Sequence, residues 1–266
     1  MQVPRPARLS FPDLWREPGI GRSFDESLLQ ALSTAGGGNF YYIEKAEQIP
    51  EFVTSELGEA LEVVSSGVTI SVVHDPEVAI EILSSLAAES KKEHLRLFLG
   101  SLVADQELDV ILRLKVAAGE ADRRLSVSVT SVEGTLTGQA EVVFVAADEL
   151  AVAAEVPDPE VMREVAAVDL ARAAQQAVAL NRAGDCVGAF AAMSSTARNY
   201  DGYAAQDPAL AATLLGVAQA SAAYAAPMSE AELKGAHWTA SNTMRGRTAD
   251  GKAWFDPAKR GKKNGS

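Results

Sequence analysis

The chain has 266 residues, 47% of them hydrophobic and 23% charged, enough apolar material for packed cores and enough length for more than one packing unit. A net charge of −12 argues against a body that wraps nucleic acid, because Lys and Arg on phosphates supply most of that affinity. The single cysteine, Cys186, rules out an internal disulfide. No apolar run long enough for a membrane span or a signal peptide is visible, so the expectation is a soluble, cytoplasmic protein.

Residues 1–18 mix Pro4, Pro6, Pro12 and Pro18 with scattered charges and read as an irregular leader. From Asp25, the spacing of Leu28, Leu29, Leu32 and Ala35 predicts a helix with one apolar face, stopped at Gly36-Gly37-Gly38. Asn39–Ile43 is rich in aromatic residues and suits a buried strand. A second helical face follows through Ile49, Phe52, Val53, Leu57, Ala60, Leu61 and Val64, with Pro50 near its start.

After Ser65-Ser66-Gly67 the period drops to 2, which predicts a change of architecture and a boundary between 19–66 and 67–156. The expected strands are Val68–Val73, Ala79–Leu83, His94–Leu99, Glu107–Val116, Arg124–Val129 and Leu136–Val145. Alternation is clearest in the fourth, where Leu108, Val110, Leu112, Leu114 and Val116 share a face. With no crossover helices between them, these strands imply an antiparallel β-sandwich. Val156-Pro157-Asp158-Pro159 opens an Ala-rich helical region, 157–235. One helix runs from about Glu160 to Arg182, and Asp185 caps a second containing Val187, Phe190 and Met193. Asp207-Pro208 starts a third, and Ser229 with Glu232 forms a capping box for a short fourth. The alanines favour a helical hairpin or small bundle. Residues 236–266 read as a basic, flexible tail: Arg245, Arg247, Lys252, Lys259, Arg260, Lys262 and Lys263 outnumber Asp250 and Asp256 there.

Chemical motifs are sparse. Gly36-Gly37-Gly38 lies between a helix and a strand, the wrong order for a phosphate loop, and reads as a turn. His74, His94 and His237 fall in separate units without ligand spacing, so no metal site is expected, and no nucleophile sits in an elbow motif. Cys186, near a helix start, reads as a packing residue. Asp158, Glu160, Glu164 and Asp169 could suggest a divalent cation but fit a helix N-terminus and a solvated face. Trp254 and Phe255 among the tail's basic residues admit a nucleic-acid or acidic-surface contact.

The stretch Gly19-Ile20-Gly21-Arg22-Ser23-Phe24-Asp25-Glu26-Ser27-Leu28-Leu29, followed by Ala35-Gly36-Gly37-Gly38-Asn39-Phe40-Tyr41-Tyr42-Ile43-Glu44, resembles the last part of bacterial von Willebrand factor A (VWA) domains, and Ala46–Val64 continues the likeness. The later strands and Asn181-Arg182-Ala183-Gly184-Asp185 resemble the sandwich and helical regions that accompany VWA in some of these proteins. The resemblance implies an α+β multidomain chain: a partial α/β VWA remnant at 19–66, then the sandwich, then the helices. The family's Asp-x-Ser-x-Ser metal motif has no counterpart here, so the chain reads either as truncated or as a remnant that works without the metal site. No cofactor is expected, and magnesium only if a complete VWA domain lies upstream.

The functional expectation is therefore non-enzymatic protein binding or scaffolding, through sheet edges or the Ala-rich helices, without magnesium. Self-association through the incomplete sheet is possible, and no membrane partner is expected. Two alternatives stand beside it: a basic tail that contacts nucleic acid or an acidic surface, and an enzyme whose site has no recognised motif. Because a lone strand would leave edges unpaired, Asn39–Ile43 is expected to pack on the sandwich or pair with another chain.

Overall fold

A computed structural model describes residues 18–20, 24–36, 38–117, 119, 121–248 and 251–253. The expected leader thus lies outside the described residues up to position 17, as do Gly37 and the tail residues Trp254, Phe255, Lys259, Arg260, Lys262 and Lys263. Strand β1 (Pro18–Ile20) runs parallel to β2 (Tyr41–Ile43), Pro18 opposite Tyr41 and Ile20 opposite Ile43. Helix α1 (Glu26–Ala35) connects them, capped by Asp25, whose carboxylate accepts from the backbone N–H of Ser27 and Leu28 at 3.0 Å each. A 3-10 turn then leads into α2 (Ile49–Leu61), with Pro50 in its first turn, where a missing N–H costs nothing.

The helical face expected to reach Val64 stops at Leu61. Val63 and Ser65 already pair with Val103 and Leu102, so β3 (Val63–His74) begins inside the predicted helix. Successive register shifts follow between Val63 and Thr69, and Gly67 sits among them at φ +55°, the left-handed region that favours glycine. The Ser65-Ser66-Gly67 signal falls on a bulge within this strand.

The remaining strands form two antiparallel sheets. β4 (Val78–Ile82) pairs with β7 (Leu112–Val116), and β5 (Ala87–Lys91), β6 (His94–Val103), β3, β8 (Arg123–Thr130) and β9 (Thr137–Phe144) lie side by side in that order. Buried Val72, Leu95, Leu97 and Leu125 of the larger sheet carry Ile80, Ile82, Leu112 and Leu114 of the smaller one, so the two share a core. The strand expected from Glu107 is shorter than its alternation implied: only Leu112–Val116 is in a ladder. Ahead of it, Ile111 accepts from the N–H of Leu83 and donates to the Ser84 hydroxyl, both at 2.9 Å, while Val110 still packs on the sheet core. The alternation recorded side chains that pack on the core, such as Val110, Leu112 and Leu114, not which backbone groups are paired. β5 was missed for the opposite reason, since Ala-Ala-Glu-Ser-Lys on a wet edge has no apolar period.

Helices α3 (Glu149–Ala153), α4 (Pro159–Arg182), α5 (Cys186–Arg198), α6 (Asp201–Ala204), α7 (Pro208–Tyr224) and α8 (Glu230–Met244) complete the chain. Asp158, Asp185 and Asp207 cap α4, α5 and α7, and the Ser229–Glu232 capping box starts α8. The centre is α4. Its Ala173, Ala177 and Val178 meet Ala189, Met193, Tyr224 and Leu233, while Ala166 and Leu170 meet Tyr200, Leu210 and Leu214. The smaller sheet reaches α4 through Leu83, which packs on Val168, Ala171, Ala240 and Met244.

The tail expected from residue 236 needs correction. α8 is long rather than short, and His237, Ala240, Ser241, Asn242 and Met244 are buried along it. No helix among the described residues is long and apolar enough to cross a membrane.

Candidate protein-binding surface

The β1–α1–β2 unit is held by α8 and the turn after it. Trp238 donates its indole N–H to the Phe40 carbonyl at 3.1 Å, and Arg245 reaches the Gly38 carbonyl at 2.6 Å. Arg247 grips both oxygens of Glu59 at 2.8 and 2.9 Å, and the Ala253 N–H donates to the same carboxylate at 2.9 Å. Tyr41 stacks near Phe52, Phe52 meets Trp238 edge-on, and the Tyr41 hydroxyl donates to Glu56. The aromatic strand therefore pairs with β1 and lies under α8. This arrangement replaces the expected packing on the antiparallel sheets, and local sequence could not show it because the partners lie about two hundred positions away.

Helix α1 sits with its polar side inward. Glu26, Gln30 and Ser33 are buried, while Leu28 and Leu32 are 57% and 58% exposed. Glu26 pairs with Arg182 at 2.6 Å and faces Lys234, whose ammonium lies 3.8 Å from the centre of the Phe24 ring and donates to the Phe24 carbonyl at 2.7 Å. The Gln30 side-chain amide oxygen meets His237 Nε2 at 2.7 Å, and Gln175 joins this group to Ser241 at 3.0 Å. Burial holds the His237 imidazole below its ordinary pKa, outweighing the Glu26 carboxylate that favours its charge.

Helix α2 repeats the inversion. Glu56 and Glu59 face Tyr41 and Arg247, and Val53, Leu57 and Leu61, spaced four apart, are exposed. Of the two apolar faces marked in sequence, Leu28, Leu32, Val53, Leu57 and Leu61 point outward, while Leu29, Ile49 and Phe52 are half-buried. Two helices beside a parallel strand pair thus present leucine stripes to solvent, in a setting where such sheets are ordinarily covered on both sides.

The residues singled out in sequence do not converge. His74 bonds the Asp75 carbonyl through Nδ1, His94 opens β6 in an exposed position, and His237 lies in the α1–α8 contact. Cys186 is half-buried, with its Sγ 3.7 Å from the Asn181 amide nitrogen. Asp158 caps α4, and Glu160 lies in the same first turn. The Glu164 carboxyl is pushed up, first by burial and then by Asp109 and Glu160. Asp169, read as part of a solvated face, instead binds Arg113 at 2.9 Å and the Tyr200 hydroxyl at 2.6 Å. This pushes the Tyr200 phenol far up, by desolvation first and by Asp169 second. Arg113 and Arg172 also share Glu81, so the cluster ties the smaller sheet to α4.

No group of three or more His, Cys, Asp or Glu among the described residues is arranged to hold a metal. In the unit that resembles a VWA domain, the nearby acids are already committed: Asp25 caps a helix, Glu26 meets Arg182 and Lys234, and Glu59 meets Arg247. These residues do not fit a magnesium site.

No protein-family profile matches the chain, and no curated protein matches it. Solved structures do. The von Willebrand factor type A protein from Catenulispora acidiphila superimposes with a TM-score of 0.54 at 12% identity, over 90% of this chain and 58% of that one. The ArnB paralog VWA2 from Sulfolobus acidocaldarius does so with a TM-score of 0.52 at 14% identity, over 89% of this chain and 56% of that one. The fold is therefore VWA-like, mixed α/β with antiparallel sheets. The chain spans a little over half the length of the solved proteins it is similar to.

The clamp formed by Trp238, Arg245 and Arg247 was not read from sequence. Its one legible sign was an indole and an imidazole, Trp238 and His237, adjacent in a capped helix.

Proposed function

We propose that the chain is a non-enzymatic protein-binding scaffold, in which a β-sandwich and a helical bundle hold the β1–α1–β2–α2 unit and offer its outward leucine stripes to a protein partner. What supports the reading is the inverted seating of α1 and α2: Glu26 and Gln30 are buried and Glu59 turns inward to Arg247, which leaves Leu28, Leu32, Val53, Leu57 and Leu61 at the surface. Apolar side chains left in water supply binding energy when covered, about 1.5–3 kcal/mol for each one fully buried. The VWA-like fold adds weight, because such folds commonly mediate protein interactions.

The test is to recover a partner from the source cells, purify it, and titrate it calorimetrically against the wild-type chain and a Leu28→Glu/Leu32→Glu variant. The expected outcome is affinity reduced by about tenfold or more, at an unchanged melting temperature, with EDTA having no effect. Equal affinity for the two proteins, or binding abolished by EDTA, contradicts the reading.

A further inference from the structure

The five-stranded sheet ends differently on its two sides. At one edge β5 is five residues long, carries Glu89 and Lys91, and is followed by Lys92 at φ 53°, features that discourage strand pairing. At the other, β9 runs for eight residues against β8 without a register shift, from Thr137 opposite Thr130 to Phe144 opposite Arg123. It contains no Pro, Lys or Arg, and its one charge, Glu141, meets Arg124 at 3.1 Å. Its outer row of backbone groups has no strand partner among the described residues.

Side chains along β9 are also uncovered. Val142, Ala140 and Gly138 lie opposite Leu125, Val127 and Val129, and so share the face that carries the sheet's core. Leu125 is buried, yet Val142 is 42% exposed, and Ala140 and Gly138 are exposed. Two strands, β4 and β7, cannot span five, and β9 is left as a regular, nearly neutral edge with apolar side chains in water.

We propose that β9 is a self-association edge, on which a second copy of this chain pairs its own β9 antiparallel about a two-fold axis to give a continuous ten-stranded sheet. The strand's sequence selects both the occupant and the register. Outward backbone groups alternate along a strand, so a residue pairs only with one of the same parity and one residue must sit on the axis. An axis at Glu141 would set two carboxylates face to face. An axis at Ala140 sets Gln139 of each copy opposite Glu141 of the other, amide against carboxylate, and Gly138 opposite Val142. The second register is self-complementary. This interface goes beyond the proposed function and uses none of the α1 or α2 side chains.

The experiment is sedimentation equilibrium of the full chain across the micromolar range. Wild type is expected to form a reversible dimer of twice the 28.0 kDa chain mass. Ala140→Lys, which places two ammonium groups across the axis, is expected to be monomeric. Gln139→Lys, set opposite Glu141 of the other copy, is expected to dimerise at least as tightly as wild type. Circular dichroism establishes that each variant is folded. If Ala140→Lys does not fold, the exposed substitution Gln139→Glu, which opposes two carboxylates, takes its place as the disrupting variant. Wild type that stays monomeric throughout, a disrupting variant that still dimerises, or a monomeric Gln139→Lys overturns the proposal.

Discussion

Asn181 ties α4 to the connection between α7 and α8 with one side-chain amide. Its nitrogen donates to the carbonyls of Tyr224 and Ala226 at 3.1 and 2.8 Å, and its oxygen accepts from the Met228 N–H at 3.0 Å, all where α7 turns toward α8. Asn181→Ala strips those backbone groups of partners in a buried site, and a loss of about 2–4 kcal/mol in urea unfolding is expected. His237 makes a different prediction. Because burial sets its folded pKa below the unfolded value, the unfolded chain binds the extra proton, and stability falls as pH drops through and below about 6.5. A melting temperature that declines from about pH 7.5 to about pH 5.5, and declines less in His237→Gln, is the expected result; equal slopes in the two proteins would exclude this residue as the cause.

At the scale of elements, the bulge in β3 is where local geometry is least negotiable. Gly67 has a left-handed backbone, and a Cβ there would collide with Val132 Cγ2. Gly67→Ala is expected to cost about 1–3 kcal/mol, and placing it in a Val132→Ala background should recover the steric part while leaving about 1 kcal/mol of backbone strain. Thermal denaturation of the two single variants and the double variant resolves the two contributions; additive losses would show that the contact does not matter. The same scale explains why the helix faces were misread. Periodicity reports that a helix has an apolar side, but the side of α1 that is buried was decided by Arg182, Lys234 and His237, whose partners on α1 are Glu26 and Gln30. Ion pairs and hydrogen bonds between segments so far apart leave no periodic trace.

For the molecule as a whole, what the sequence determined by itself was local and covalently near. Caps at Asp25, Asp158, Asp185, Asp207 and Ser229 lie within three residues of the groups they satisfy, so composition and spacing placed the starts of α1, α4, α5, α7 and α8. Alternation placed the principal strands, because burial of one face is written at every second residue. The segment quoted from Gly19 to Glu44 pointed to the VWA-like fold that the solved structures display. Tertiary structure alone decided the rest: that α8 extends into the supposed tail and clamps β2 through Trp238, that Asp169 serves a sheet arginine rather than solvent, and that the leucines of α1 and α2 face outward. The physical reason is that these outcomes depend on which polar groups meet across long loops. An amphipathic helix can bury either side when the polar side finds enough fixed partners, and those partners are assembled only by the fold.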